Sequence, residues 1–305
     1  MYTLILKKIF ICYNYIGDYM KSLILTIKGF FMGIANVIPG VSGGTIALIV
    51  GIYEDFINAI SHFFANFKKN IKFLVPVFIG MGLSILLLSK VIDYSYDHFP
   101  IAVTLFFMGL VVGGVPLIKK NIDNTKDKDK PLNYILAIMT FIFVIFFALA
   151  PVIFKTDGEV SFDNMNAISY LLVFLVGVVA AATMVIPGIS GSLVLMLLGY
   201  YYPVIALIKD ITKFDIHGLI ILGVFGIGIL VGIIFISKVL EYLFNNYKKS
   251  TYYAVLGFII ASIIAIPIST IINVSNISFN IIEVIIGIIL LVGGTFISYY
   301  LGDKE

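Results

Sequence analysis

The sequence predicts an all-α, polytopic membrane protein of two inverted repeats, each a re-entrant helical hairpin followed by three transmembrane helices. Three observations predict it. Of 305 residues, 61% are hydrophobic and only 12% charged, with a mean hydropathy of +1.11, values outside the range of a chain that folds in water. Apolar runs long enough to cross a hydrocarbon layer of ~30 Å recur along the whole length, leaving no polar region large enough for a separate soluble domain. Finally, a constant offset of 148 residues, the spacing of Gly29 and Gly177, aligns the second half with the first.

The elements follow in order. Residues 1–20 read as an extension in which Lys7 and Lys8 precede a short apolar stretch containing Tyr13, Asn14 and Tyr15. It lacks a small-residue cleavage site, so a removable signal peptide is not expected. Two readings stay open there: a short interfacial helix, or a true start at Met20. The first repeat is expected over 21–155, with apolar segments at 23–37, 45–64, 71–90, 99–118 and 132–152. The second is expected over 156–305, with segments at 169–186, 192–208, 217–240, 251–270 and 281–301. In each repeat the first two segments meet at a Pro-Gly-rich break that carries no charge. A loop that surfaces normally carries polar residues, so both breaks are expected inside the membrane.

The offset holds without a gap for some 80 residues, by order of magnitude the length of a whole structural unit. It pairs Val37-Ile38-Pro39-Gly40 with Val185-Ile186-Pro187-Gly188, Ser42-Gly43 with Ser190-Gly191, and Gly51 and Tyr53 with Gly199 and Tyr201. Further on it pairs Gly80 with Gly228, Ser89-Lys90-Val91 with Ser237-Lys238-Val239, and Gly109 with Gly257. A re-entrant hairpin plus three crossings gives each half odd parity, which turns the second half upside down. The lysines agree with that topology. With both termini inside, 16 of the 20 basic residues, all lysine, fall on the inner side, leaving Lys90, Lys155, Lys209 and Lys213 outside.

The first break reads Asn36-Val37-Ile38-Pro39-Gly40-Val41-Ser42-Gly43-Gly44-Thr45, and the second Met184-Val185-Ile186-Pro187-Gly188-Ile189-Ser190-Gly191-Ser192. Each joins a helix-stopping proline, conformationally permissive glycines and small hydroxyl residues just ahead of a new helix. Helices beginning near Thr45 and Leu193 would point unpaired N–H groups and a positive dipole end into the membrane, an anion site without a buried cation. With arginine absent, a phosphate has only ammonium groups, hydroxyls and backbone N–H to bind it. The candidate ligands are Asn36, Pro39, Gly40, Ser42, Gly43, Gly44 and Thr45 from the first break, and Pro187, Gly188, Ser190, Gly191 and Ser192 from the second. One isolated copy would equally mark a kinked, closely packed helix; two copies at matched positions favour the ligand reading.

Other polar residues have plainer readings beside the functional ones. Lys90 and Lys238 suit snorkelling anchors as well as a lipid headgroup. Glu54 and Asp55 suit an interfacial helix end, with Glu54 the first candidate for proton or sodium coupling. Asn36 serves either a ligand or the freed backbone. Glu283 reads as a span boundary, and the run from Lys119 to Lys130 as a solvated loop. The pairs Gly29/Gly33, Gly109/Gly113 and Gly228/Gly232 have the spacing of helix-packing glycines. His62, His98 and His217 lack metal-ligand spacing, and Cys12 is alone, so no metal, cofactor or nucleic-acid partner is expected.

At the stretch Gly33-Ile34-Ala35-Asn36-Val37-Ile38-Pro39-Gly40-Val41-Ser42-Gly43-Gly44-Thr45, continued by Gly51-Ile52-Tyr53-Glu54 and by Ile186-Pro187-Gly188-Ile189-Ser190-Gly191-Ser192, the sequence resembles the PopT-type undecaprenyl-phosphate translocases. The resemblance covers roughly residues 21–303. It implies return of a prenyl-phosphate carrier lipid across the cytoplasmic membrane for reuse in cell-envelope synthesis. Tyr202 stands at the position paired with Glu54, so both halves cannot supply a carboxylate there. The residues themselves support an intramembrane anion site, which a secondary transporter of a small soluble anion would share. An integral-membrane phosphatase needs a clustered nucleophile, base or metal site, which the sequence does not present. A membrane scaffold leaves the duplicated breaks unexplained.

Overall fold

A computed structural model describes residues 19–35, 42–153, 160–163, 165–209, 215–273 and 280–302, and among these the regular secondary structure is all helix. Helix α1 covers 19–35, followed by α2 (Gly43–Ile49), α3 (Tyr53–Ser61), α4 (Phe67–His98), α5 (Pro100–Asp123) and α6 (Pro131–Ile153). The second half comprises α7 (Ala167–Val185), α8 (Gly191–Leu197), α9 (Tyr201–Lys209), α10 (Ile216–Asn246), α11 (Lys248–Asn273) and α12 (Ile281–Gly302). Helices α4 to α7 and α10 to α12, seven in all among the described residues, are long and apolar enough to cross a membrane.

The sequence offset reappears in the elements: α2 and α3 shifted by the Gly29 to Gly177 spacing of 148 residues coincide with α8 and α9 at both ends. It reappears in the packing as well. A side chain at Gly29 would run into the backbone of Val77, and one at Gly80 into Thr26, which holds α1 against α4. The shifted positions Gly177 and Gly228 face Phe225 and Phe174 and hold α7 against α10 in the same way. In lipid no hydrophobic force draws helices together, so close backbone approach over small residues supplies the contact.

The second arm of each hairpin departs from expectation. Residues 45–64 and 192–208 read as single helical segments, yet each is two short helices broken at Gly51 or Gly199, both at φ +76°. The chain turns by 112° between α8 and α9. Both breaks close as Schellman motifs: Gly51 N–H donates to Leu48 O and Ile52 N–H to Ala47 O, and Gly199 and Tyr200 repeat this onto Met196 and Leu195. Apolar periodicity continues across such a turn, so only the paired glycines signal it.

The last helix of each half packs on the other half. Helix α12 lies along α5, α6 lies along α11, and α5 and α11 meet each other. All of α2 is buried, and Ile49, Ile57, Val77, Val111 and Ile259 belong to one core that both halves build. On the outside, Ile138, Ile142, Leu230, Ile289 and Val292 are exposed, as suits side chains facing lipid.

Candidate functional site

A helix leaves its last carbonyls without intrahelical donors. At the end of α7 those are the carbonyls beside the second break, and side chains from the first half satisfy them. The Ser42 hydroxyl lies 3.1 Å from Met184 O and 3.5 Å from Ile186 O, and the Tyr53 hydroxyl donates to Val185 O at 3.0 Å. One turn into α2, Thr45 Oγ1 accepts the Gly188 N–H at 2.8 Å. A side chain at Gly44 would collide with Val185 O. The two breaks therefore meet inside the protein, with Ser42 and Thr45 only 3% and 1% exposed.

Ser42 also caps its own helix, accepting from Gly44 N–H at 3.2 Å. Its counterpart Ser190 makes no such cap; Ser190 Oγ and Ser192 Oγ bond each other at 2.8 Å instead. Gly188 sits at φ +82°, and a side chain there would crowd Ser262 and Phe258. Of the candidate ligands, Ser42, Gly43, Gly44, Thr45, Pro187, Gly188, Ser190, Gly191 and Ser192 cluster at this junction or at the start of α8. Asn36, Pro39 and Gly40 lie outside the described residues. Helices α2 and α8 begin at Gly43 and Gly191 and run only seven residues each. Such short helices carry little summed dipole, so hydroxyls and individual peptide N–H groups provide the polarity here.

Glu54 lies elsewhere. It heads α3 beside an open cavity of about 350 Å³ lined by α2, α3, the end of α5, the start of α11 and the end of α12. The Lys248 ammonium pairs with Glu54 Oε2 at 3.1 Å, while the Tyr252 hydroxyl donates to Glu54 Oε1. Lys120, Asn121 and Asn124 complete the polar wall. Tyr53 lines the same cavity and links it to Val185 at the second break. A smaller room of about 140 Å³ adjoins it between α5 and α12, sharing Leu117, Lys120 and Gly302 and walled otherwise by Gly113, Pro116 and Tyr299.

Sequence reasoning missed this cavity because its donors come from α5 and α11, far apart in the chain. Lys120, Asn121 and Asn124 read as part of a solvated loop, and the repeat offset does not flag Lys248, whose mate is Pro100. The loop is in fact tied down: Lys249 pairs with Asp129 at 2.9 Å and donates to Asp127 O, and Tyr253 donates to Asp129 at 3.0 Å. These donors hold the Asp129 carboxyl below its ordinary range, the Lys249 hydrogen bond foremost. Lys90 and Lys238 are exposed, as snorkelling anchors are.

The fold and the junction define a multi-pass α-helical membrane protein whose two matched halves each carry a pair of short helices broken at a glycine. The chain belongs to the VCA0040-like family, described as undecaprenyl phosphate translocase-like, whose model matches residues 32–282. It is 34% identical over 242 residues to a polyprenyl-phosphate transporter of Staphylococcus aureus (strain NCTC 8325 / PS 47), an alignment covering 79% of this chain and 84% of that protein. A polyprenyl-phosphate transporter of Vibrio cholerae serotype O1 (strain ATCC 39315 / El Tor Inaba N16961) is 30% identical over 261 residues, covering 81% of this chain and 78% of its own length. No solved structure matches the chain.

Proposed function

We propose that this protein moves a polyprenyl phosphate of the undecaprenyl class across the cytoplasmic membrane, returning the carrier lipid for envelope synthesis, and that it does so as a transporter without catalysing a reaction. Membership of a translocase-like family and the two transporter relatives support the substrate class. The observation that carries the mechanism is the direct contact of the two breaks, Ser42 and Thr45 of one half on Met184 and Gly188 of the other.

In that contact the Ser42 proton goes to a carbonyl of the other half and the Gly188 N–H to Thr45, as expected of a state closed between the breaks. If the halves part, the Ser42 and Thr45 hydroxyls and the Gly188 N–H become free together, and Ser190 and Ser192 stand nearby at the start of α8. A phosphate withdrawn from water needs several converging donors, and these replace one another at little net cost only when released as a set. Gly43, Gly44, Pro187 and Gly191 complete the proposed path as lining, while the sequence candidates Asn36, Pro39 and Gly40 lie outside the described residues. The prenyl tail stays in lipid beside the exposed apolar faces.

The matched halves are read as inverted repeats over 21–155 and 156–305, with both termini in the cytoplasm, and rocking of one against the other exposes the breaks to each side in turn. Proton or sodium coupling would act through Glu54. The test is proteoliposomes carrying Ser42→Ala with Ser190→Ala, assayed for movement of the lipid phosphate. Rates should fall about tenfold or more, on the order of the loss of one or two charge-assisted hydrogen bonds. Unchanged rates would take the breaks out of the substrate path.

A further inference from the structure

We propose that the cavity between α3, α5 and α11 is a second phosphate-monoester site, in which Lys248 and Tyr252 exchange the Glu54 carboxylate for the phosphate of the ligand. The inference rests on the transport reading and adds to it a station where the headgroup docks before or after passing the breaks.

The donors are already aimed at an anion. Lys248 and Tyr252, one turn apart on α11, converge on the two oxygens of a single carboxylate contributed by the other half. That carboxylate stands in for the ligand. Its hold is weak by construction, since the Lys248 and Glu54 side chains are 49% and 41% exposed and a half-exposed ion pair contributes little. A phosphate monoester brings ≈ −1.5 to −2 charges and three acceptor oxygens to the same donors. Asn121 and Asn124 line the same cavity and can serve the further oxygens, with Lys120 adding positive charge to the wall. Asp55 also lines the cavity, so Glu54 is not its only carboxylate; the bound phosphate sits toward the Lys248 side.

The size and surroundings fit a lipid headgroup better than a free ion. A volume of about 350 Å³ is within the range of small-molecule sites and well beyond what one inorganic phosphate fills. The adjoining room walled by Gly113, Pro116, Leu117 and Tyr299 is largely apolar and shares Leu117, Lys120 and Gly302 with the cavity, so a phosphate held by Lys248 and Tyr252 could extend its first prenyl unit toward it. The site is also confined to one end of the molecule. Under the repeat offset Glu54, Lys248 and Tyr252 correspond to Tyr202, Pro100 and Thr104, so the second half cannot build an equivalent.

The experiment measures equilibrium binding of radiolabelled farnesyl phosphate to the full chain in nanodiscs of neutral lipid, with inorganic phosphate as competitor. Lys248→Gln should weaken binding about tenfold, while Glu54→Gln, which removes the competing carboxylate, should strengthen it about threefold. Inorganic phosphate should compete at least tenfold more weakly than unlabelled farnesyl phosphate. Equal weakening by both substitutions, or no change in either with thermal stability unaltered, would overturn the site, since a merely structural ion pair behaves that way. Competition by inorganic phosphate as strong as by farnesyl phosphate would overturn the lipid assignment. Lipid-phosphate translocation by the unaltered protein is followed in parallel. Its absence defeats the transport reading, whereas intact translocation with binding indifferent to residues 54 and 248 defeats only the docking site.

Discussion

Glu283 illustrates how much a single residue can conceal. Its place two residues into α12 suggests a span boundary, but it is 6% exposed and accepts the N–H groups of Ile101 at 2.7 Å and Ala102 at 3.2 Å. It caps α5 from another helix, with Pro100 removing one donor at the same helix end. Glu283→Ala should therefore cost about 1–3 kcal/mol by stranding one buried and one half-buried donor, read as a lower unfolding temperature in detergent. Glu283→Gln, which keeps an acceptor, should lose less. No local pattern could have announced the cap, since the partners are 181 and 182 residues away in the chain. Ser42 was legible as special because the second break repeats it as Ser190, and Thr45 because it is a hydroxyl residue at the start of the new helix, yet their partners were not: both bind backbone of the other half.

Among elements, the helix pairs α1·α4 and α7·α10 were nearly readable in advance. Small residues spaced four apart predict a close crossing, and the offset predicts that the crossing occurs twice. The structure adds the register, Gly228 against Phe174 and Gly80 against Thr26. Gly228→Leu forces bulk against that backbone and should destabilise the pair by roughly 1–3 kcal/mol, with lower yield of monodisperse protein in gel filtration. The same change at Gly226, which has open space around its Cβ position, should be nearly silent. The bends at Gly51 and Gly199 were not readable from hydrophobic pattern. At φ +76° a side chain is disfavoured, so Gly199→Ala should cost on the order of 1–2 kcal/mol.

On the scale of the whole molecule, the halves are interlocked, and at one end charged and polar side chains bridge them. Asp129, between α5 and α6, reaches Lys249 and Tyr253 of α11. Its carboxyl is held below the ordinary value, so the folded form keeps it ionised where the unfolded chain would begin to take up a proton. The stabilisation is thus fully present above the unfolded carboxylate range, about pH 4, and is lost as pH falls through the lower folded value. Hydrogen-exchange protection of residues 124–130 should stay level from about pH 8 to pH 5 and drop only in stronger acid. Asp129→Asn should show the unprotected loop already at neutral pH.

The sequence by itself determined the membrane class, the helical content, the duplication and the identity of the two breaks, because these follow from local quantities: apolar length, the absence of charge at a Pro-Gly turn, and a constant spacing between matching residues. Tertiary structure alone decided which half supplies the partner at each break, that α6 and α12 change sides, and that Lys248 meets Glu54. Those contacts join residues some 110 to 200 positions apart, from Thr140 on Ala254 O to Tyr252 on Glu54, where the relevant energy is that of burying unpaired polar groups and fitting backbones together, and no pattern within one helix records it.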